Sequence, residues 1–191
     1  MSSCSDIEIV KRVRNGSPVD FKLLVDRYSD RIYGFLYAKS INQNDIDDIL
    51  QETFLKAFLK INTYQDSYQF TTWLYTIAYH ELVRFYSKKK NRKEENQFEF
   101  NSFSKEKETS SLGIWEEAAQ LNAQYYTVLW LKYHEELDVK EIAFIMKSSV
   151  AMVKINLFRA RIQLKKILLV EKKVSEKKSS SHEIIFRQNS I

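Results

Sequence analysis

Residues 138–166 read DVKEIAFIMKSSVAMVKINLFRARIQLKK, and the spacing of their apolar positions decides the fold. Ile142 and Met146 stand four apart, and Val150, Val153, Leu157, Ala160 and Leu164 follow at threes and fours, which is the period of a helix rather than the alternation of a strand. The polar turn Lys147-Ser148-Ser149 separates the two runs. Ala143 is small enough for the helices to cross closely, so the stretch predicts a helix-turn-helix. Lys147 occupies the turn position where glycine usually relieves a left-handed backbone, at an expected cost of about 1 kcal/mol. Lys154, Asn156, Arg159 and Arg161 form an outward set suited to phosphates and base edges. An amphipathic helix pair with an ordinary Lys/Arg surface accounts for the same pattern.

Upstream of this unit, helical periodicity covers residues 114–137, and before that residues 89–113 carry charge, Ser and Asn with no sustained period, as a flexible linker does. Further towards the N-terminus the period returns. A short helix is broken at Gly16-Ser17-Pro18 and a long one runs to about Asn42. Another carries Ile46, Ile49, Leu50, Phe54, Ala57, Phe58 and Ile61 on one stripe. One more, from about Phe70 to Lys88, is expected to bury Phe70, Trp73, Leu74, Ile77, Ala78, Leu82 and Phe85. The expectation is an all-α chain of two small helical domains, 1–88 and 114–172, joined by the linker 89–113 and followed by a frayed polar and basic tail, 173–191. Three Gly and one Pro in 191 residues leave too few turn signals for a sandwich or barrel of many short strands.

Hydrophobic content of 44% excludes a wholly disordered chain. A net charge of +5 is compatible with a polyanionic partner. The single cysteine, Cys4, rules out an internal disulfide and leaves no Cys/His metal framework. The first residues lack a secretory apolar run, and no stretch approaches the roughly 18 apolar residues of a membrane span; a soluble, cytoplasmic protein without membrane insertion is expected. His80, His134 and His182 are scattered, with no serine or cysteine partner at a telling spacing. The expectation is therefore a non-enzyme without cofactor, metal or small-molecule substrate.

Two stretches of the N-terminal half are unusual. Asp45, Asp47, Asp48 and Glu52 fall in a segment free of Lys and Arg from Ser40 to Leu55, and Asp45, Asp48 and Glu52, with Gln51 nearby, share one helix face. Three readings are open: a helix start stabilised by its dipole, a docking face for a basic protein, or a carboxylate metal site such as a nuclease uses. In the stretch from residue 69 to 93, Thr72, Tyr75, Thr76, Tyr79, Val83 and Tyr86 lie away from the apolar stripe, with His80, Arg84 and a basic run beside them. Exposed rings next to cations suit single-stranded nucleic acid, because every base offers a face to stack on. The loop residues Tyr64, Tyr68 and Gln69 then stand at the same mouth, able to enclose an extruded base. The alternative is a second packing surface for another part of the chain.

Taken in order, DIDDILQETFLKAFLKINTYQDSYQFTTWLYTIAYHELVRF and LNAQYYTVLWLKYHEELDVKEIAFIMKSSVAMVKINLFRARIQLKKIL resemble regions 2 and 4 of bacterial RNA polymerase sigma factors, specifically the short extracytoplasmic function group. The resemblance spans roughly residues 18 to 170 and rests on the D-x-x-D-I-L-Q-E-x-F and W-L-x-x-I-A elements and on E-I-A, V-K and R-A-R. It implies that Asp45, Asp48, Gln51 and Glu52 dock on core RNA polymerase. It implies that Tyr64, Tyr68, Phe70, Thr72, Tyr75, Tyr79, His80 and Arg84 hold the separated strand of the promoter -10 element. For the duplex -35 element it points to Ser149, Ala151, Met152, Lys154, Ile155, Asn156, Arg159 and Arg161. The partners so implied are core polymerase, promoter DNA and an anti-sigma factor. The sequence departs from the family pattern at Tyr79-His80, Arg84, Asn122, Tyr126 and Ala151-Met152. A stand-alone helix-turn-helix regulator, with a merely solvated acidic helix, is the alternative.

Overall fold

Ser5 opens the first helix, α1 (Asp6–Arg14): its hydroxyl accepts the Glu8 amide at 3.3 Å while the Glu8 carboxylate accepts the Ser5 amide at 2.8 Å, a reciprocal cap. Gly16, at φ +95°, turns the chain, and Pro18 starts a short 3-10 turn leading into α2 (Phe21–Ala38). Asn42 caps α3 (Gln43–Leu59) by accepting the Asp45 amide at 2.9 Å. A turn at Ile61–Thr63 and a short loop lead to α4 (Phe70–Glu95). The C-terminal half holds α5 (Ile114–Ala118), α6 (Ala123–Tyr133), α7 (Val139–Ile145) and α8 (Val150–Gln188). The computed structural model of the chain describes residues 4–39, 42–95 and 113–188, so most of the expected linker, residues 96–112, lies outside the described residues. No strand occurs among the described residues.

The helix-turn-helix forms as its spacing predicts. Asp138 caps α7 together with Glu141, Lys147 takes φ +46° at the turn, and the Ser148 amide reaches back to the Ala143 carbonyl at 2.9 Å, as in a left-handed helix stop. Ile142, Ala143, Met146, Val153, Leu157 and Ala160 are buried between the helices, whereas Val150, at the exposed start of α8, is 38% accessible. Two helices outrun their expected ends. α4 continues to Glu95 rather than Lys88, and α8 reaches Gln188 where a frayed tail was expected beyond 172. Neither extension contains Gly or Pro, and Lys, Arg and Glu propagate a helix well.

Ile9, Leu24, Ile32, Phe35, Leu36, Ile46, Leu74 and Leu82 are fully buried in the N-terminal half. Trp73, Ile77 and Phe85, expected in that core, are only half-buried. The core does not stop at the half's edge. Phe35 of α2 meets Tyr75 of α4 at 5.7 Å between ring centroids, and also Tyr126 and Trp130 of α6 at 5.6 and 5.9 Å. The Tyr126 hydroxyl donates to the Phe35 carbonyl at 2.7 Å. The two helical regions are thus packed against each other through aromatic side chains, each worth a large apolar area.

Candidate functional site

Asp45, Asp48 and Glu52 of α3, but not Asp47, line one cleft of about 880 Å3 between α3 and α4. Asp45, Asp48, Gln51 and Glu52 form one wall, Arg84, Lys88 and Lys89 the other, with Ile49, Leu55 and Phe85 between them. Lys56 ties the walls together, 2.6 Å from Glu81 of α4 and 3.4 Å from Glu52. The cleft pairs an acidic lip with a basic one, and Leu55, half exposed, offers an apolar contact. This arrangement suits a protein helix carrying cations and an apolar stripe.

The tyrosine face of α4 is not wet. Thr72 and Tyr75 are 0% and 1% exposed, Tyr79 is buried, and Tyr64 and Phe70 sit in the N-terminal core against Trp73. The reading of Thr72, Tyr75 and Tyr79 as an open stacking surface is therefore corrected: for α4 the second packing surface is the one realised, with α6 and α7 as the neighbours. The Tyr75 hydroxyl donates to Glu135 at 2.7 Å, and the Thr72 hydroxyl to Glu141 at 3.2 Å. Tyr68, in the loop before α4, stacks on Phe144 of α7 with centroids 4.4 Å apart. Burial, with the Glu135 charge beside it, pushes the Tyr75 phenol well above its ordinary value, and burial alone raises Tyr79. His80 uses Nδ1 on the Thr76 carbonyl of its own helix at 2.5 Å. Of the eight candidates, only Arg84 is exposed, while Tyr68 and His80 are half-buried.

Glu135, in the α6–α7 connection, is the centre of this contact. Its side chain is 1% exposed, pairs with Arg31 of α2, and accepts from Tyr75 and from His134, the latter at 3.0 Å. Burial works against the Arg31 charge, yet the Glu135 carboxylate outweighs it and holds that guanidinium above its usual value. At the far end of α2, Lys39 is 7% exposed and donates to the carbonyls of Ala119 and Leu121, the latter at 2.7 Å. Arg31, Lys39, Glu135 and Glu141 escaped the sequence reading because charged side chains have no periodic signature of inward pointing.

Burial pushes the Lys39 ammonium from 10.5 down to about 8. Between those values the buried amine binds fewer protons than an exposed one, so its burial becomes more favourable as pH rises through that window; below it the full cost of burying the charge is borne. Urea unfolding is expected to show stability rising by about 1–2 kcal/mol between about pH 7.5 and pH 9.5, relative to Lys39→Met, whose profile lacks this rise. Parallel profiles would remove Lys39 from that account.

On α8, Ser149, Ala151, Met152, Lys154, Ile155, Arg159 and Arg161 are exposed. Ser149 caps the helix by accepting the Met152 amide at 3.1 Å, and Arg161 Nε is folded back on the Leu157 carbonyl at 3.2 Å. Asn156 is corrected: it is 3% exposed, with Nδ2 lacking a hydrogen-bond partner among the described residues, and it does not face outward. Phe158, 60% exposed, adds an apolar element to the outward face beside Met152 and Ile155. Among the described residues no helix is long and apolar enough to cross a membrane.

Two family models and several known proteins match the chain. The family model for sigma-70 region 2 matches residues 24–92, and that for sigma-70 region 4 matches residues 112–164. The chain is 31% identical over 176 residues to the ECF RNA polymerase sigma factor SigW of Bacillus subtilis, covering 83% of this chain and 94% of that protein. It is 28% identical over 174 residues to the ECF RNA polymerase sigma-E factor of Haemophilus influenzae, covering 82% and 92%. Among solved structures, CnrH in complex with the cytosolic domain of CnrY shares the fold with a TM-score of 0.63 at 20% identity, covering 85% of this chain and 96% of that one. RpoE of Bartonella quintana, in complex with the anti-sigma factor NepR, gives 0.61 at 21% identity, covering 79% and 98%. The chain belongs to the sigma-70 family, as an RNA polymerase sigma factor of the extracytoplasmic function group.

Proposed function

We propose that this sigma factor docks on core RNA polymerase through Asp45, Asp48, Gln51 and Glu52, and directs it to promoters whose -10 and -35 elements it reads. The observation that carries the docking assignment is the gathering of those four side chains on one lip of the α3–α4 cleft. Residues 1–88 serve polymerase docking and the -10 strand, 89–113, whose first seven residues continue α4, link the two regions, 114–172 read the -35 duplex through the exposed residues of α8, and 173–191 form a terminal extension. The chain works in the cytoplasm, where both partners are, and supplies no catalytic step of its own.

Promoter opening is shared. Separating about five base pairs costs on the order of 7 kcal/mol, whereas each stacked base returns roughly 1–3 kcal/mol. The sigma factor therefore selects which bases stay unpaired, and the polymerase channel carries the rest. Since Thr72, Tyr75 and Tyr68 are covered by α6, α7 and their connection, holding the -10 strand requires the C-terminal region to leave α4. The structural relatives complexed with CnrY and with NepR support an anti-sigma partner for this chain too. Run-off transcription with purified core enzyme on genomic fragments is expected to yield discrete start sites only when the chain is added. Duplex DNA binding by the chain alone, without polymerase association, would favour the stand-alone regulator.

A further inference from the structure

The first helix, α1, ends before the residues matched by the region 2 family model begin, yet its last residue reaches across the fold to the loop that precedes α4. Arg14 Nε and Nη2 both donate to the Ile61 carbonyl, at 3.2 and 2.7 Å, and Nη2 also donates to the Tyr64 carbonyl at 2.5 Å. These two carbonyls bracket the 3-10 turn that ends α3, after which Tyr64 leaves in an extended conformation (φ −65°, ψ 133°). A planar guanidinium holding both fixes the direction in which the chain exits, because its donors are set in a rigid fork. The other end of the loop is closed by the Tyr64 hydroxyl, which donates to the Tyr68 carbonyl at 3.0 Å, while the Tyr64 ring is wedged against Phe70 and Trp73.

Gln65, Asp66 and Ser67 are thereby presented as an exposed arch between two fastened ends. Arg14 with Lys11 on one side, and Tyr64 to Ser67 on the other, enclose a cleft of about 350 Å3. α1 is itself anchored: Ile9, Val10 and Val13 are buried, and Asp6 pairs with Arg27 and accepts the Tyr28 hydroxyl. The clamp therefore stands on a rigid element. A loop so fastened binds without first being ordered, which conserves affinity.

We infer that Arg14 is a positioning residue for promoter recognition: it holds the loop from Tyr64 to Gln69 in the shape that receives an unpaired base of the -10 strand. This rests on the reading of that loop as part of the -10 surface. The probe is a fluorescein-labelled single-stranded oligonucleotide carrying the non-template sequence upstream of a start site mapped for the wild-type holoenzyme. Arg14→Ala holoenzyme is expected to bind it about tenfold more weakly, equivalent to about 1.4 kcal/mol, while affinity for core polymerase stays within about twofold.

A merely structural role is separated from positioning by a double-mutant cycle in which each base of the -10 strand is replaced in turn by an abasic site. For the base the loop receives, the losses from Arg14→Ala and from base removal are expected to be non-additive, because the second change removes what the first one served. Additive losses at every position, or a core affinity that falls in parallel with strand affinity, would overturn the assignment of Arg14. Failure of the wild-type holoenzyme to bind the strand would instead overturn the reading of the loop, so the two failures are distinguishable. Arg14→Lys serves as a second variant: one ammonium cannot span both carbonyls as the fork does, and recovery to less than half of the lost binding is expected.

Discussion

Replacing Asp48 and Glu52 together by lysine is expected to weaken association with core RNA polymerase at least about hundredfold, the largest loss expected from any surface change in this protein. Both side chains stand on the exposed lip of the α3–α4 cleft, and the substitutions change the charge of that lip by four units in the same direction. Close charge pairs across protein interfaces couple by about 1.5–7 kcal/mol, so loss of two pairs and creation of two like-charge contacts readily exceeds the roughly 2.7 kcal/mol that a hundredfold change needs. The fold is expected to tolerate the change. Lys56 retains Glu81 at 2.6 Å when Glu52 is lost, and an exposed pair contributes at most about 1 kcal/mol to stability. Titration of labelled protein with core enzyme reads the loss, and a thermal melt checks that the helices persist. Asp26→Lys, a reversal in the exposed pair with Lys22 on α2, is the control and is expected to change core affinity by less than about threefold. Equal losses in both variants would mean that overall charge, rather than the acidic lip, governs docking.

The acidic lip was legible because a helix start rich in Asp, with no Lys or Arg from Ser40 to Leu55, leaves Asp45, Asp48 and Glu52 together on one face whatever packs behind it. The helix-turn-helix was legible for a similar reason, down to the left-handed Lys147, since two apolar stripes separated by a polar turn have few other solutions. The face of α4 was not. Periodicity identifies a buried stripe, but Thr72, Tyr75 and Tyr79 lie on a second stripe, and a helix apolar on two sides is sandwiched rather than amphipathic. Which side faces water then depends on whether another part of the chain arrives there, and α6 and α7 do. Asn156 misled in a different way. It falls at the inward spacing between Val153, Leu157 and Ala160, so the period placed it correctly and its polar side chain argued for the wrong face. Charged anchors such as Arg14, Lys39 and Glu135 join segments distant in the chain, and no local pattern encodes them.

Reversing Glu135 to lysine is expected to release the C-terminal region from α4 and α2. In the wild type this carboxylate is 1% exposed and satisfies Arg31 and the Tyr75 hydroxyl at once. Arg31 is 49% exposed and stays hydrated when its partner is lost, so the cost falls on the buried side: the Tyr75 hydroxyl loses its acceptor, at about 1–3 kcal/mol, and lysine brings a second cation beside Arg31. A shift of that size moves an equilibrium between packed and separated regions by about five- to hundredfold. Thr72 with Glu141 and Tyr68 with Phe144 remain on the same face, and the buried contacts of Phe35 with Tyr126 and Trp130 and of Lys39 with the Ala119 and Leu121 carbonyls oppose the release. Expected observations are an increased radius of gyration by small-angle scattering and faster amide exchange around Thr72 to Tyr79, with helical circular dichroism retained because each region keeps its own core. Glu135→Gln preserves shape and an acceptor for Tyr75, and is expected to produce a smaller opening of the same kind. An unchanged radius in Glu135→Lys would show that the aromatic contact of Phe35 with Tyr126 and Trp130 holds the regions together without the ion pair. The chain would then need its polymerase or a partner protein, and not a change in charge at Glu135, to expose the residues of α4 proposed to hold the strand.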